Sequence, residues 1–143
     1  MSLLHPRPGE IIDRLTILEL KIENGAKKNV ETSHWEAEKV GLQNLLHEWE
    51  GGLAEELSYD DGDLWEARLS KIAEQKNGLA AVNGILWNAE DEVRVLPQTE
   101  AFKLAALAKN IASWNDARAR HIRELDKLYG VEEAPEKLHK TAQ

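Results

Sequence analysis

Cysteine is absent from this 143-residue chain, which excludes disulfides and thiolate metal sites and fits a reducing compartment. No stretch approaches the ~18 uninterrupted apolar residues of a membrane span, and the N-terminus lacks the charged-then-apolar pattern of a secretion signal. The expectation is therefore a cytoplasmic protein with no membrane contact. Proline, at four residues, and glycine, at nine, are too scarce for a disordered or fibrous chain. Catalytic signatures are missing as well. The five histidines show no His-x-x-x-His or His-x-x-Glu-His spacing, and no glycine-rich phosphate loop, G-x-S-x-G elbow or dinucleotide fingerprint occurs.

What is present is 42% hydrophobic and 31% charged, the balance of a globular helical protein. At this length, residues 1–143 make one domain with one core. The net charge of −8 argues against nucleic acid, because phosphate binding relies on a concentrated cationic face. Charge is uneven, however, with residues 1–100 at net −10 and residues 101–143 at net +2. The basic group Arg118, Arg120, His121 and Arg123 lacks the aromatic and glycine interleaving of a nucleic-acid arm. A mildly basic C-terminal helix packed along an acidic body accounts for it.

Periodicity divides the chain into four helices. Ile11, Ile12, Leu15, Leu18 and Ile22 follow helical spacing after Pro6-Arg7-Pro8-Gly9, and Asn24-Gly25 supplies a stop. Ser33 with Glu36 forms a capping-box pattern opening a second helix through Trp49, which Gly51-Gly52 ends or breaks, with Leu53 to Leu57 as one further turn. Residues 58–63 read as a loop. Asp63 and Glu66 open a third helix that carries an apolar stripe to Leu96 and stops at Pro97, with a kink or a close backbone approach expected at Asn77-Gly78 or Gly84. The fourth opens near Thr99 and stops at Gly130, and residues 131–143 are expected to be a loosely ordered tail.

Short connections make neighbouring helices antiparallel, so the fold class is an all-α, antiparallel up-down bundle of about four helices, two of them long. The third and fourth helices would reach roughly 45–50 Å and the first only about 25 Å. That mismatch leaves a hairpin to cover, either by a break in the third helix or by a second copy in a homodimer.

Polar residues interrupt the apolar faces. Asn83, Trp87, Glu90 and Arg94 recur at steps of four, three and four, stacking an amide, an indole, a carboxylate and a guanidinium on one helical face. Asn115 and Arg118 occupy positions where the fourth helix's stripe calls for apolar residues. Glu10, Asp13, Arg14 and Lys21 lie along the first helix, where dipole complementarity alone could account for Glu10 and Asp13. Burying such groups unpaired costs several kcal/mol, so they satisfy one another, coordinate water or meet a ligand. Two readings stay open: an interhelical network that fixes register, and the wall of a cleft for a small anionic or sugar-containing ligand, with Trp87 able to stack on a ring.

The run from Gly9 to Lys21, the pattern Asn83-x-x-Leu86-Trp87-x-x-Glu90-Asp91-x-x-Arg94 and the group Asn115-Asp116-x-Arg118-Ala119 resemble, in order, three signature blocks of the DUF6165 family of small bacterial proteins. The resemblance covers most of residues 9–125. It implies a biological context among genes for surface-polysaccharide and glycosyl-transfer functions, and no chemistry. The family's Glu-Glu-Lys-Ser-Tyr type ending is only partly echoed, by Glu132-Glu133 and Glu136-Lys137.

The expected role is thus a binding or accessory protein in glycan biosynthesis, with no cofactor. The alternative is a magnesium-dependent, all-α nucleotide pyrophosphohydrolase, which needs three or four carboxylates converging on hard cations. Glu10 and Asp13 with Glu90 and Asp91 or Asp116 would have to supply them, yet Glu90 and Asp91 point about 100° apart on a helix. A cationic pocket for a dicarboxylate, built from Arg14, Lys21, Arg94 and Arg118 in the manner of a chorismate mutase, has the charges and no matching signature.

Overall fold

The computed structural model describes residues 6–57 and 62–131. Its described residues form four helices: α1 Pro8–Lys27, α2 Ser33–Leu57, α3 Gly62–Val95 and α4 Ala101–Leu128. Residues 58–61 of the expected loop, and the expected tail beyond Val131, lie outside the described residues. The architecture is the expected antiparallel all-α bundle. Contacts between Gln75 and His121 and between Arg68 and Leu128 set α3 against α4, while Arg14–Glu38 and Glu19–Lys39 pairs set α1 against α2.

α1 is the centre of the assembly. It packs against all three other helices, whereas α2 and α3 meet over a small area only. Its start is fixed by Pro8 in the first turn, where the missing N–H costs nothing. The Gly9 N–H donates to Asp126 Oδ1 at 2.8 Å, and a Cβ on Gly9 would run into the Ile122 carbonyl oxygen. α1 therefore docks on α4 at bare-backbone distance.

Helix ends depart from the sequence expectation where tertiary contacts outweigh local signals. α1 runs past Asn24-Gly25, because the absent Cβ of Gly25 makes room for the Trp35 ring, 2.9 Å from where that Cβ would sit. It stops instead at Asn29, in the left-handed region with φ 57°, as Val30 N–H donates to Gly25 O and Asn29 N–H to Ala26 O. The same paired bonding ends α4 at Gly130, φ 87°, where the stop was expected. Thr32 rather than Ser33 accepts the first helical bond of α2. α2 also continues through Gly51-Gly52, since Leu53 beyond them is only 4% exposed and its burial offsets the weak helix propensity of two glycines.

α3 is unbroken over 34 residues. Gly78 serves a close approach: a Cβ there would lie 2.5 Å from His121 Cε1, whose ring hydrogen-bonds Gln75 Oε1 at 2.7 Å. Gly84 faces open space. The core gathers Ile11 and Ile12 of α1, Leu46 and Leu53 of α2, Ile72 and Leu79 of α3, Leu125 of α4 and Tyr129 at the C-terminal cap of α4. The Tyr129 phenol, deep in this core beside the Glu50 carboxylate, is pushed well above its ordinary pKa, first by burial and then by Glu50. These core residues gather towards the α4 C-terminal end, and Leu18, Val82, Leu86 and Ala89 continue the buried set along α1 and α3.

Candidate ligand cleft

Asp13, one turn into α1, is the hub of the polar residues. Arg118 of α4 grips it side-on, Nε to Oδ1 at 2.9 Å and Nη2 to Oδ2 at 2.5 Å, while Asn83 of α3 donates from Nδ2 to Oδ1 at 2.9 Å. The other Asn83 amide hydrogen goes to Thr16 Oγ1 at 2.6 Å, and Thr16 in turn donates to the Asp13 carbonyl at 2.7 Å. One network thus joins three helices, with Asp13 7% and Asn83 4% exposed. The Asp13 bond, aided by the charges of Asp13 and Glu90 and opposed by burial, raises the Arg118 guanidinium above its ordinary pKa and keeps it cationic.

The amide orientation of Asn83 is forced, because an ionised carboxylate only accepts and so the nitrogen must face Asp13. The Asn83 Oδ1 is left without a hydrogen-bond partner among the described residues. It is nonetheless not sealed in: no unpartnered side-chain N or O atom among the described residues is fully enclosed. Asn83 lines a cleft of about 200 Å³ together with Ile17, Leu20, Leu86, Trp87, Glu90, Arg94, Asn115 and Arg118.

Six residues singled out from the sequence therefore share one cavity: Asn83, Trp87, Glu90, Arg94, Asn115 and Arg118. Glu10, Asp13 and Arg14 line an adjoining cleft of about 270 Å³ with Pro6, Ile11 and Leu42, and Ile17 and Arg118 face both spaces. Lys21 lines neither. Its charge acts on Glu38 of α2, which is held below the usual carboxylate range chiefly by its bond to Arg14. Arg94 does not join a buried pair with Glu90. It binds Asp91 one turn back at 2.9 Å, with the two side chains 70% and 54% exposed, because the helix end at that level has water around it.

The carboxylates do not converge. No three His, Asp or Glu side chains among the described residues could hold a metal ion; Asp13 is committed to Arg118, and Glu10 opens on a different cleft from Glu90. Thr16 and Leu20 were not singled out in the sequence, although their helical spacing from Asp13 was a readable signal. A third space of about 570 Å³, floored by Ile12, Leu15 and Leu46 and rimmed by Glu19, His47 and Lys76, left no signal. It exists because α2 stands away from α3, which no local pattern encodes. No family model, curated protein or solved structure matches the chain.

Proposed function

We propose that this chain is a binding protein whose cleft between α1, α3 and α4 receives one ring of a sugar-containing ligand, serving as a cytoplasmic binding or accessory component of surface-polysaccharide or other glycan biosynthesis. The observation that carries the reading is that a 96%-buried asparagine, whose oxygen has no hydrogen-bond partner among the described residues, lines the same cleft as an indole. A hydroxyl group both donates and accepts. Asn83 Oδ1 and Glu90 offer acceptors to it, while the outer N–H groups of Arg118 and the Asn115 amide offer donors. Trp87 supplies an apolar face for the ring carbons.

Size and charge narrow the ligand. The cleft is smaller than the ~300–1,000 Å³ that encloses a whole drug-sized molecule, so it suits one ring with the remainder outside. Within it Arg118 is neutralised by Asp13 and, at the rim, Arg94 by Asp91, which favours a neutral ring inside. Arg94, exposed at the rim, would exchange Asp91 for a phosphate carried by the same ligand. The resemblance of the three sequence blocks to the DUF6165 family supplies the glycan context.

The test is a thermal-shift and calorimetric screen of nucleotide sugars, free monosaccharides, nucleotides and divalent ions. Saturation at 100 times the dissociation constant adds about 2.7 kcal/mol of stability. The expected result is stabilisation by a sugar nucleotide without metal, weakened about tenfold or more by Trp87→Ala and by Arg94→Ala with the melting point of the free protein unchanged. Stabilisation by nucleoside triphosphates that requires magnesium and is lost in Glu10→Gln or Glu90→Gln would replace this reading with the hydrolase. Silence across the whole screen would remove the small-ligand reading altogether.

A further inference from the structure

Both long helices keep a seven-residue seam, through Ile72, Leu79, Leu86 and Val93 on α3 and through Leu104, Ile111, Arg118 and Leu125 on α4. Cover along that seam falls steadily away from the core: Leu79 is 0%, Leu86 7% and Val93 37% exposed, and Leu125 is 0% exposed while Ile111 and Leu104 are only half-buried. No buried residue occurs in α3 after Ala89 or in α4 before Leu125. The last turns of α1 turn to α2, where Gly25 meets Trp35. The hairpin therefore projects as two helices with an uncovered apolar flank, tipped by Val95 and Phe102 at 79% and 94% exposed.

Charge is segregated between the two helices of this overhang. The end of α3 carries Glu90, Asp91 and Glu92 against one cation, Arg94, which pairs with Asp91, while α4 from Ala101 to Asn115 carries Lys103 and Lys109 and no acid, Lys103 meeting Glu100 just before the helix at 3.7 Å. A two-fold axis that lays α3 of one copy beside α4 of the other places acid against base twice and apolar against apolar. A partner of any other sequence would have to reproduce that pattern independently. We infer that the overhanging α3–α4 hairpin is a homodimer interface, completed by the same hairpin of a second copy as a four-helix bundle.

Sedimentation equilibrium or light scattering on the full chain decides it, with circular dichroism confirming that each variant stays helical. The wild type is expected at twice its 16.1 kDa; a monomer throughout the micromolar range would overturn the inference. The variant Lys103→Glu/Lys109→Glu and the variant Asp91→Lys/Glu92→Lys should each self-associate about tenfold or more weakly than the wild type, because each sets like charges together. Mixing the two should restore dimers as heterodimers, since acid then again faces base. Undiminished self-association of either variant, or no recovery on mixing, would place any dimer on another surface. Neither variant replaces a residue that lines the sugar cleft, but Asp91→Lys breaks the pair of the rim residue Arg94, so ligand binding is compared in Lys103→Glu/Lys109→Glu, which leaves that pair intact and keeps the two tests separate.

Discussion

The two ends of the α3–α4 hairpin share one helical repeat and differ in almost everything else. At the base, a third and fourth helix close over the seam and Leu79 and Leu125 vanish from solvent. At the tip the same heptad positions stay half open, and Val95 and Phe102 stand in water. Periodicity alone therefore does not bury a side chain; the number of neighbouring helices does. Polar chemistry follows the same gradient. Asp13 and Arg118 form a bidentate, partly buried pair near the core, whereas Arg94 and Asp91 form an exposed pair near the tip at a comparable distance. The cleft lies where the one regime passes into the other, with an enclosed asparagine at its floor and an exposed arginine at its rim.

The widest gap between the ends should appear in truncations of the seam. Leu79→Ala leaves a hole in a fully closed core and is expected to cost about 2–5 kcal/mol. Leu104→Ala, half-buried in the overhang, should cost about 1 kcal/mol or less in dilute protein. Urea unfolding of both variants measures the difference, and equal losses would mean that the tip is as tightly packed as the base.

Ion pairs should separate next. Asp13→Ala strands the Arg118 charge and the Asn83 amide, and an expected loss of about 2–4 kcal/mol sits below the fully buried case because the Arg118 side chain remains 34% exposed. Asp91→Ala removes a pair of the same kind in open water and should change stability by no more than ~0.5 kcal/mol. A small effect at Asp13 in thermal denaturation would show that the network is held for the ligand and not for the fold.

The smallest contrast changes sign. Gly84→Ala adds a methyl group where nothing lies within 4 Å and should stabilise α3 by about 0.5–1 kcal/mol. Gly78→Ala drives a Cβ into the His121 ring and should destabilise by about 1–3 kcal/mol while breaking the bond to Gln75. If Gly78→Ala proved neutral in a melting experiment, α3 and α4 would have to be free to separate at that level.

Much of the candidate site was legible because helix geometry is local. The four-three-four spacing of Asn83, Trp87, Glu90 and Arg94 fixed their common face before any neighbour was known, and all four do line one cleft. Asn115 and Arg118 stood out as polar residues at apolar positions. Their partners could not be read in the same way. Thr16 entered the network unannounced, and Arg94 turned to Asp91 and not into the bundle.

The sequence by itself determined four amphipathic helices, the stop at Gly130, the absence of thiol chemistry and the face on which the polar residues gather, since each depends on a repeat or a residue type within a few positions. Only the tertiary structure decided that α1 runs through Gly25 and α2 through Gly51-Gly52, that Asp13 belongs to Arg118 and Asn83, and that α2 stands off α3 to leave a cavity of about 570 Å³. Those outcomes turn on contacts between residues as many as 117 positions apart, as between Gly9 and Asp126. There the burial of one leucine or the room for one indole outweighs a local propensity worth about 1 kcal/mol.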